Sequence, residues 1–207
     1  MKALSNTDAF LIRDASGNSY YGGDQEWFGS HKEYRKEAAC GATTCANILG
    51  YFARTREGFT GLAPYDLNDK EGFLAFMKAV YPFVRPGLIG IMPADFTRGA
   101  REYAAIVGFE FDYDILTVPA ASNKRPKAGD IYRFLGAALE DDLPVAFLNL
   151  SGGRVKNLDS YHWVTLVSID DASGKCKIVD NGRLLEVDLK KWLRRSVLGG
   201  AFVVVKP

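Results

Sequence analysis

The sequence predicts an α+β fold, with a helical N-terminal part packed on a C-terminal antiparallel sheet. Two observations predict it. Stretches with apolar residues at three- and four-residue steps fall before about residue 141, and short apolar runs bounded by turn residues crowd into about 142–207. Segregation of this kind favours α+β over a doubly wound α/β arrangement, in which strands and helices alternate. The 207 residues suit one domain, with a helical part at about 25–141 and a sheet part at about 142–207.

Near the start, Phe10–Arg13 and Ser19–Gly22 flank Asp14-Ala15-Ser16-Gly17-Asn18 and read as a β-hairpin. The polar stretch from Gln25 to Lys36, anchored by Trp27 and Phe28, reads as loop with a short helix. From Cys40 the pattern Ala42, Cys45, Ala46, Leu49, Phe52 marks a buried helix. Asp66–Val80 predicts a second helix. Pro82, Pro86 and Pro93 interrupt the next stretch, and Asp95–Val107 predicts a third helix ending at Gly108. Phe109–Leu116 reads as a strand, Asp130–Asp141 as a fourth helix and Leu143–Leu150 as a buried strand. Tyr161–Asp170 and Cys176–Val179 form a hairpin around Asp171-Ala172-Ser173-Gly174. Leu184–Val187, a short helix near Asp188–Arg195 and Ala201–Val205 complete the chain.

Composition narrows the function. With 47% hydrophobic and 25% charged residues and a net charge of +1, the chain has no field to attract nucleic acid or an anionic membrane. No apolar run approaches the roughly 18 residues of a membrane span. The start, with Ser5, Asn6, Thr7 and Asp8, lacks the apolar centre of a signal peptide, which favours the cytoplasm. Three cysteines, two of them five positions apart, do not form a disulfide framework or the usual spacing of a zinc pair.

The chemistry-bearing residues are few. There are two histidines, and His31 lies in a charged loop expected at the surface. His162 opens an apolar strand directly after the polar loop Ser151–Ser160, a rigid place with solvent access. A histidine with a satisfied structural hydrogen bond fits the same pattern. Cys40 precedes Gly41 at the start of the buried helix, where unpaired N–H groups favour a thiolate nucleophile. Gly41 would let a substrate carbonyl approach the backbone, and the Cys40 N–H would donate to an oxyanion. Cys45, inside the helix, and Cys176, in a hairpin strand, read as structural. Gln25, 15 residues before Cys40, is either a second oxyanion donor or a surface glutamine. A hairpin after His162 would bring Asp180 back beside it to orient the imidazole, although Asp180-Asn181-Gly182 also reads as a plain turn.

These segments resemble the papain-like superfamily, and most of all its C39-like branch of bacterial cysteine peptidases. The residues are Cys-Gly-Ala-Thr-Thr at 40–44, Leu-Pro-Val-Ala-Phe-Leu at 143–148, His-Trp-Val-Thr-Leu at 162–166 and Asp-Asn-Gly at 180–182. The resemblance implies Cys40 as nucleophile, His162 as base, Asp180 as orienting acid and Gln25 as oxyanion donor, acting on a peptide or protein substrate without a cofactor. Asn181 stays open as the orienting residue, because papain uses an asparagine there. Acyl transfer through the same triad is one alternative reading. A non-catalytic module is another, its partner groove formed by Trp27, Phe28, Tyr34, Tyr51 and Phe52.

Overall fold

The computed structural model describes residues 1–29, 38–87 and 90–207. Its architecture is α+β, as expected, with the helix that begins at Cys40 packed on a largely antiparallel sheet. The strands are β1 (Lys2–Ala3), β2 (Leu11–Arg13), β3 (Ser19–Tyr21), β4 (Asp112–Val118), β5 (Val145–Asn149), β6 (His162–Asp170), β7 (Lys175–Asp180), β8 (Arg183–Asp188) and β9 (Gly200–Lys206). The helices are α1 (Cys40–Thr55), α2 (Lys70–Val80), α3 (Pro93–Ile106), α4 (Ala128–Glu140) and α5 (Leu189–Arg195).

The main sheet runs β4-β9-β5-β6-β7-β8, and β1 pairs with the far end of β6. Two of its strands lie outside 142–207: β1 precedes the helical part, and β4 falls within it, near the strand expected at Phe109–Leu116. β4 begins at Asp112 and runs to Val118 because all seven of its residues pair with β9, from Asp112 opposite Lys206 to Val118 opposite Gly200. β2 and β3 form a separate hairpin.

Several helix starts differ from the periodicity, each for a local reason. α2 begins four residues after Asp66, because the Asp69 carboxylate accepts from the Glu71 and Gly72 N–H groups. Asp66 folds back over that first turn so closely that a Cβ on Gly72 would lie 2.2 Å from its carbonyl oxygen. Pro93, expected to interrupt structure, instead opens α3, where its missing N–H costs nothing.

α1 is the centre of the molecule. Every residue from Cys40 to Ala53 is buried. It packs against β5, β6, α2 and α3, so small residues and aromatics alternate around its whole circumference rather than along one stripe. Phe28, Tyr51 and Phe52 belong to this core, which removes them from the partner groove of a non-catalytic module. Trp27 is half-buried, and Tyr34 and His31 lie outside the described residues.

Asn47 links the helix to both neighbours. Its Oδ1 accepts from the Gly23 N–H at 2.8 Å, and its Nδ2 donates to Thr165 Oγ1 on β6 at 3.3 Å. Gly22 is held at φ 68°, and a Cβ there would lie 2.5 Å from Val179 and 2.7 Å from Asn47 Oδ1. Only glycine fits that approach. Replacing Asn47 by Ala strands a buried N–H, so Asn47→Ala is expected to lower stability by about 1–3 kcal/mol in urea unfolding. An unchanged midpoint would exclude this bridging role.

Candidate active site

The N-terminus of α1, the mouth of β6 and the end of β7 converge. The residue preceding α1 is Ala39, which supplies no side-chain cap. Ala39 O accepts the first intrahelical bond, from Thr43 N. Among the described residues, the N–H groups at the start of the first turn have no capping side chain, which suits them to a ligand oxygen.

β6 begins at His162, opposite Asn149 of β5. β7 returns along β6, with Thr165 opposite Val179, so Asp180 falls next to the level of Val164, and His162, two residues back on the same face of β6, is its diagonal neighbour. The chain then reverses through Asn181 (φ 44°) and Gly182 (φ 70°) into β8, with Asp180 opposite Arg183. Two left-handed residues between paired positions make the tight hairpin turn that Asn-Gly favours.

His162 Nε2 lies 2.7 Å from Asp180 Oδ1. The two side chains are 8% and 11% exposed, so water screens the pair little. The imidazole is also hydrogen-bonded to Cys40. With Nε2 facing Asp180, Nδ1 is the nitrogen left for the thiol. Burial alone would push the imidazolium down. The hydrogen bonds to Asp180 and Cys40 and their negative charges outweigh it and raise the pKa from 6.5 to about 10.

The structure thus brings Cys40, His162 and Asp180 together in one hydrogen-bonded chain. The carboxylate contact falls to Asp180, while Asn181 sits in the turn beside it and lines the same small recess as Cys40 and His162. Gln25 is half-buried at the start of a 3-10 turn (Gln25–Phe28) behind Asp24, with its Oε1 unpartnered among the described residues. It lines neither of the cavities that Cys40 lines. Cys45 and Cys176 are fully buried, and burial pushes both thiols up.

Gly41 has a different role from the one expected. A Cβ there would lie 2.6 Å from Ile91 Cδ1, so its bare face receives a core side chain rather than a substrate carbonyl. Ile91 also lines a cavity of about 260 Å³ beside Cys40, together with Met92, Leu148, Leu150, Tyr161 and Trp163. Trp163 is fixed by a 3.0 Å hydrogen bond to Ile91 O and by stacking on Phe96 at 4.6 Å. The stretch through Ile91 and Met92 and the two ends of the β5–β6 loop, Leu150 and Tyr161, thus form its walls.

Sequence reasoning missed Asn47 and Asp24. Asn47 sits two turns along α1 from Cys40, on the same face, and an amide in a buried helix was the available signal. Asp24 lies near Asp180, and burial raises its carboxyl pKa, the Glu26 and Asp180 charges adding to this. Its position depends on a long-range fold-back that no local pattern marks. Among the described residues, no group of three or more His, Cys, Asp or Glu is placed to hold a metal, and no helix is long and apolar enough to cross a membrane.

Comparison with known proteins adds little. No family model matches the chain, and no curated protein matches it. Among solved structures, it is similar to the peptidase domain of Streptococcus ComA, a bi-functional ABC transporter involved in a quorum-sensing pathway. The identity is 8% and the TM-score 0.43, over 83% of this chain and 93% of that one. A likeness of that size decides no question of activity.

The raised His162 pKa has a thermodynamic consequence. The imidazole is protonated in the folded state up to about pH 10 but only to about 6.5 when unfolded, so its contribution to stability is complete below 6.5. It is lost as pH rises towards about 10, because the unfolded chain releases the proton first. Urea unfolding between these limits should show stability falling with pH. The slope should shrink in Asp180→Asn, and equal slopes in the two proteins would rule out the ion pair.

Proposed function

We propose that the chain is a cysteine-dependent hydrolase of peptide or isopeptide bonds. The observation that carries this reading is the buried imidazole held between Asp180 and Cys40, with Nε2 2.7 Å from the carboxylate. The apolar cavity beside Cys40 and the uncapped first turn of α1 support it.

In this reading His162 already holds the proton of Cys40 as an imidazolium in the resting site, and Sγ attacks the scissile carbonyl carbon. The carbonyl π electrons move to oxygen, and first-turn N–H groups, with the Gln25 amide as a second donor, hold the oxyanion. Collapse expels the amine, which takes the proton from His162, and leaves a thioester on Cys40. Water then gives its proton to His162 and attacks the thioester, releasing the acid and restoring the Cys40 sulfur beside the imidazolium. Asp180 orients the ring and stabilises the imidazolium throughout.

Two measurements test this. Neutral iodoacetamide should alkylate Cys40, which lines a cavity, selectively over the more deeply enclosed Cys45 and Cys176. A mixed peptide library should show new termini by mass spectrometry with the wild-type chain and none with Cys40→Ala. Asp180→Asn should slow cleavage by about 10²–10⁴-fold, and Gln25→Ala by about 10²–10³-fold. Cleavage that survives Cys40→Ala would end the proposal. Peptides joined to an added amine, with no hydrolysis, would reassign the same thioester to acyl transfer.

A further inference from the structure

A second cavity, of about 750 Å³, lies beside the first and is unlike it in chemistry. The β5–β6 loop separates them. Its ends, Leu150 and Tyr161, face the Cys40 cavity, while the adjoining Ser151 and Ser160 face the second. Arg154 and Arg195 also line the second cavity. Both are exposed, and neither is ion-paired among the described residues.

The fold holds these two cations together at a cost. Gly153 (φ 60°) and Arg154 (φ 57°) are consecutive left-handed residues, an unfavourable geometry for arginine. A Cβ on Gly153 would lie 3.0 Å from Ser196 N and 3.2 Å from Arg195 Cβ, so the loop is pressed against the end of α5. Trp192 Nε1 donates to Asn149 Oδ1 at 2.6 Å and to Ser151 O at 3.0 Å, and Val197 N donates to Ser151 Oγ at 3.1 Å. These bonds fix the cavity wall. Arg195 is not required as a helix cap, because Arg125 already donates to Leu193 O at 2.9 Å and Ser196 O at 2.7 Å. Asp159 is the one carboxylate in the lining, and it balances only one of the two guanidiniums.

We propose that this cavity is a subsite for a carboxylate of the peptide held at Cys40, bound by Arg154 and Arg195. The inference rests on the hydrolase reading for its link to a peptide. Arginine suits the role because its planar fork pairs a carboxylate in two parallel hydrogen bonds. The loop that carries Arg154 rejoins the sheet at His162, so a chain crossing the Tyr161 end of the loop passes from thiol to guanidinium.

The test is equilibrium binding of fluorescein-labelled hexapeptide amides to the full chain, followed by anisotropy. One set carries a single Glu scanned through every position, and a matched set carries Gln. A third set has Gln throughout and a free C-terminal carboxylate. The proposal expects tighter binding by about tenfold for Glu over Gln at one position, or for the free carboxylate over the amide, which tells a side chain from a chain end. That preference should weaken with salt, vanish in the Arg154→Gln/Arg195→Gln double variant and grow in Asp159→Asn. The preference is a ratio within each protein, so a general loss of affinity cancels. Equal binding of all three sets, or a preference that survives the double variant, overturns the subsite. Binding needs no chemistry at Cys40. Inert Cys40 towards iodoacetamide would sink the hydrolase reading alone, and the peptide ratios would still decide the subsite.

Discussion

The site depends on burying the start of α1 against the mouth of a sheet. A helix N-terminus brings unpaired donors, and burying donors is costly unless something accepts from them. Here the first turn has no capping side chain, and the helix is enclosed along fourteen consecutive residues from Cys40 to Ala53. The Cys40 side chain at that end meets an imidazole that is itself buried and tied to a carboxylate. The polar chain from Cys40 through His162 to Asp180 is the means by which the core tolerates charge at this point.

The supporting parts answer to that constraint. Asn47 joins the helix to the segment at Gly23 and to Thr165 of β6, so the elements carrying Gln25, Cys40 and His162 share one amide. Gly22 and Gly41 are small because Val179 and Ile91 occupy the space their side chains would need. Trp163, locked on Phe96 and Ile91, forms an apolar wall next to His162. Rigid surroundings of this kind hold the Cys40 and His162 side chains in one geometry.

Much of the fold was legible because its signals are local. The buried helix at Cys40, the hairpins around Gly17 and Gly174 and the α5 helix behind Asp188 all appear near their expected places. Boundaries moved where a side chain or a distant partner took over. Asp69 set the start of α2, Pro93 the start of α3, and pairing with β9 the extent of β4. At the site, His162 and Asp180 were readable as neighbours near the open end of one hairpin, since the returning strand brings them to the same face, where their side chains meet diagonally. Gly41 was misread because its neighbour Ile91 lies fifty positions away. Gln25 stands apart from the residues lining the cavities at Cys40, and its long connection to Cys40 gave no local signal of where it would sit.

By itself, the order of residues determined the α+β class, the buried helix beginning with a thiol, and a histidine at the head of an apolar strand. Those are consequences of periodicity, turn chemistry and helix-end electrostatics, each confined to a short window. Only the tertiary structure decided that the thiol meets the imidazole, that Asp180 rather than Asn181 takes Nε2, and that an arginine-lined hollow opens beside an apolar one. Such juxtapositions join residues as far apart as Cys40 and Asp180 or Arg154 and Arg195. They arise from packing helices and loops on the sheet, a property of the whole chain that no window of sequence contains.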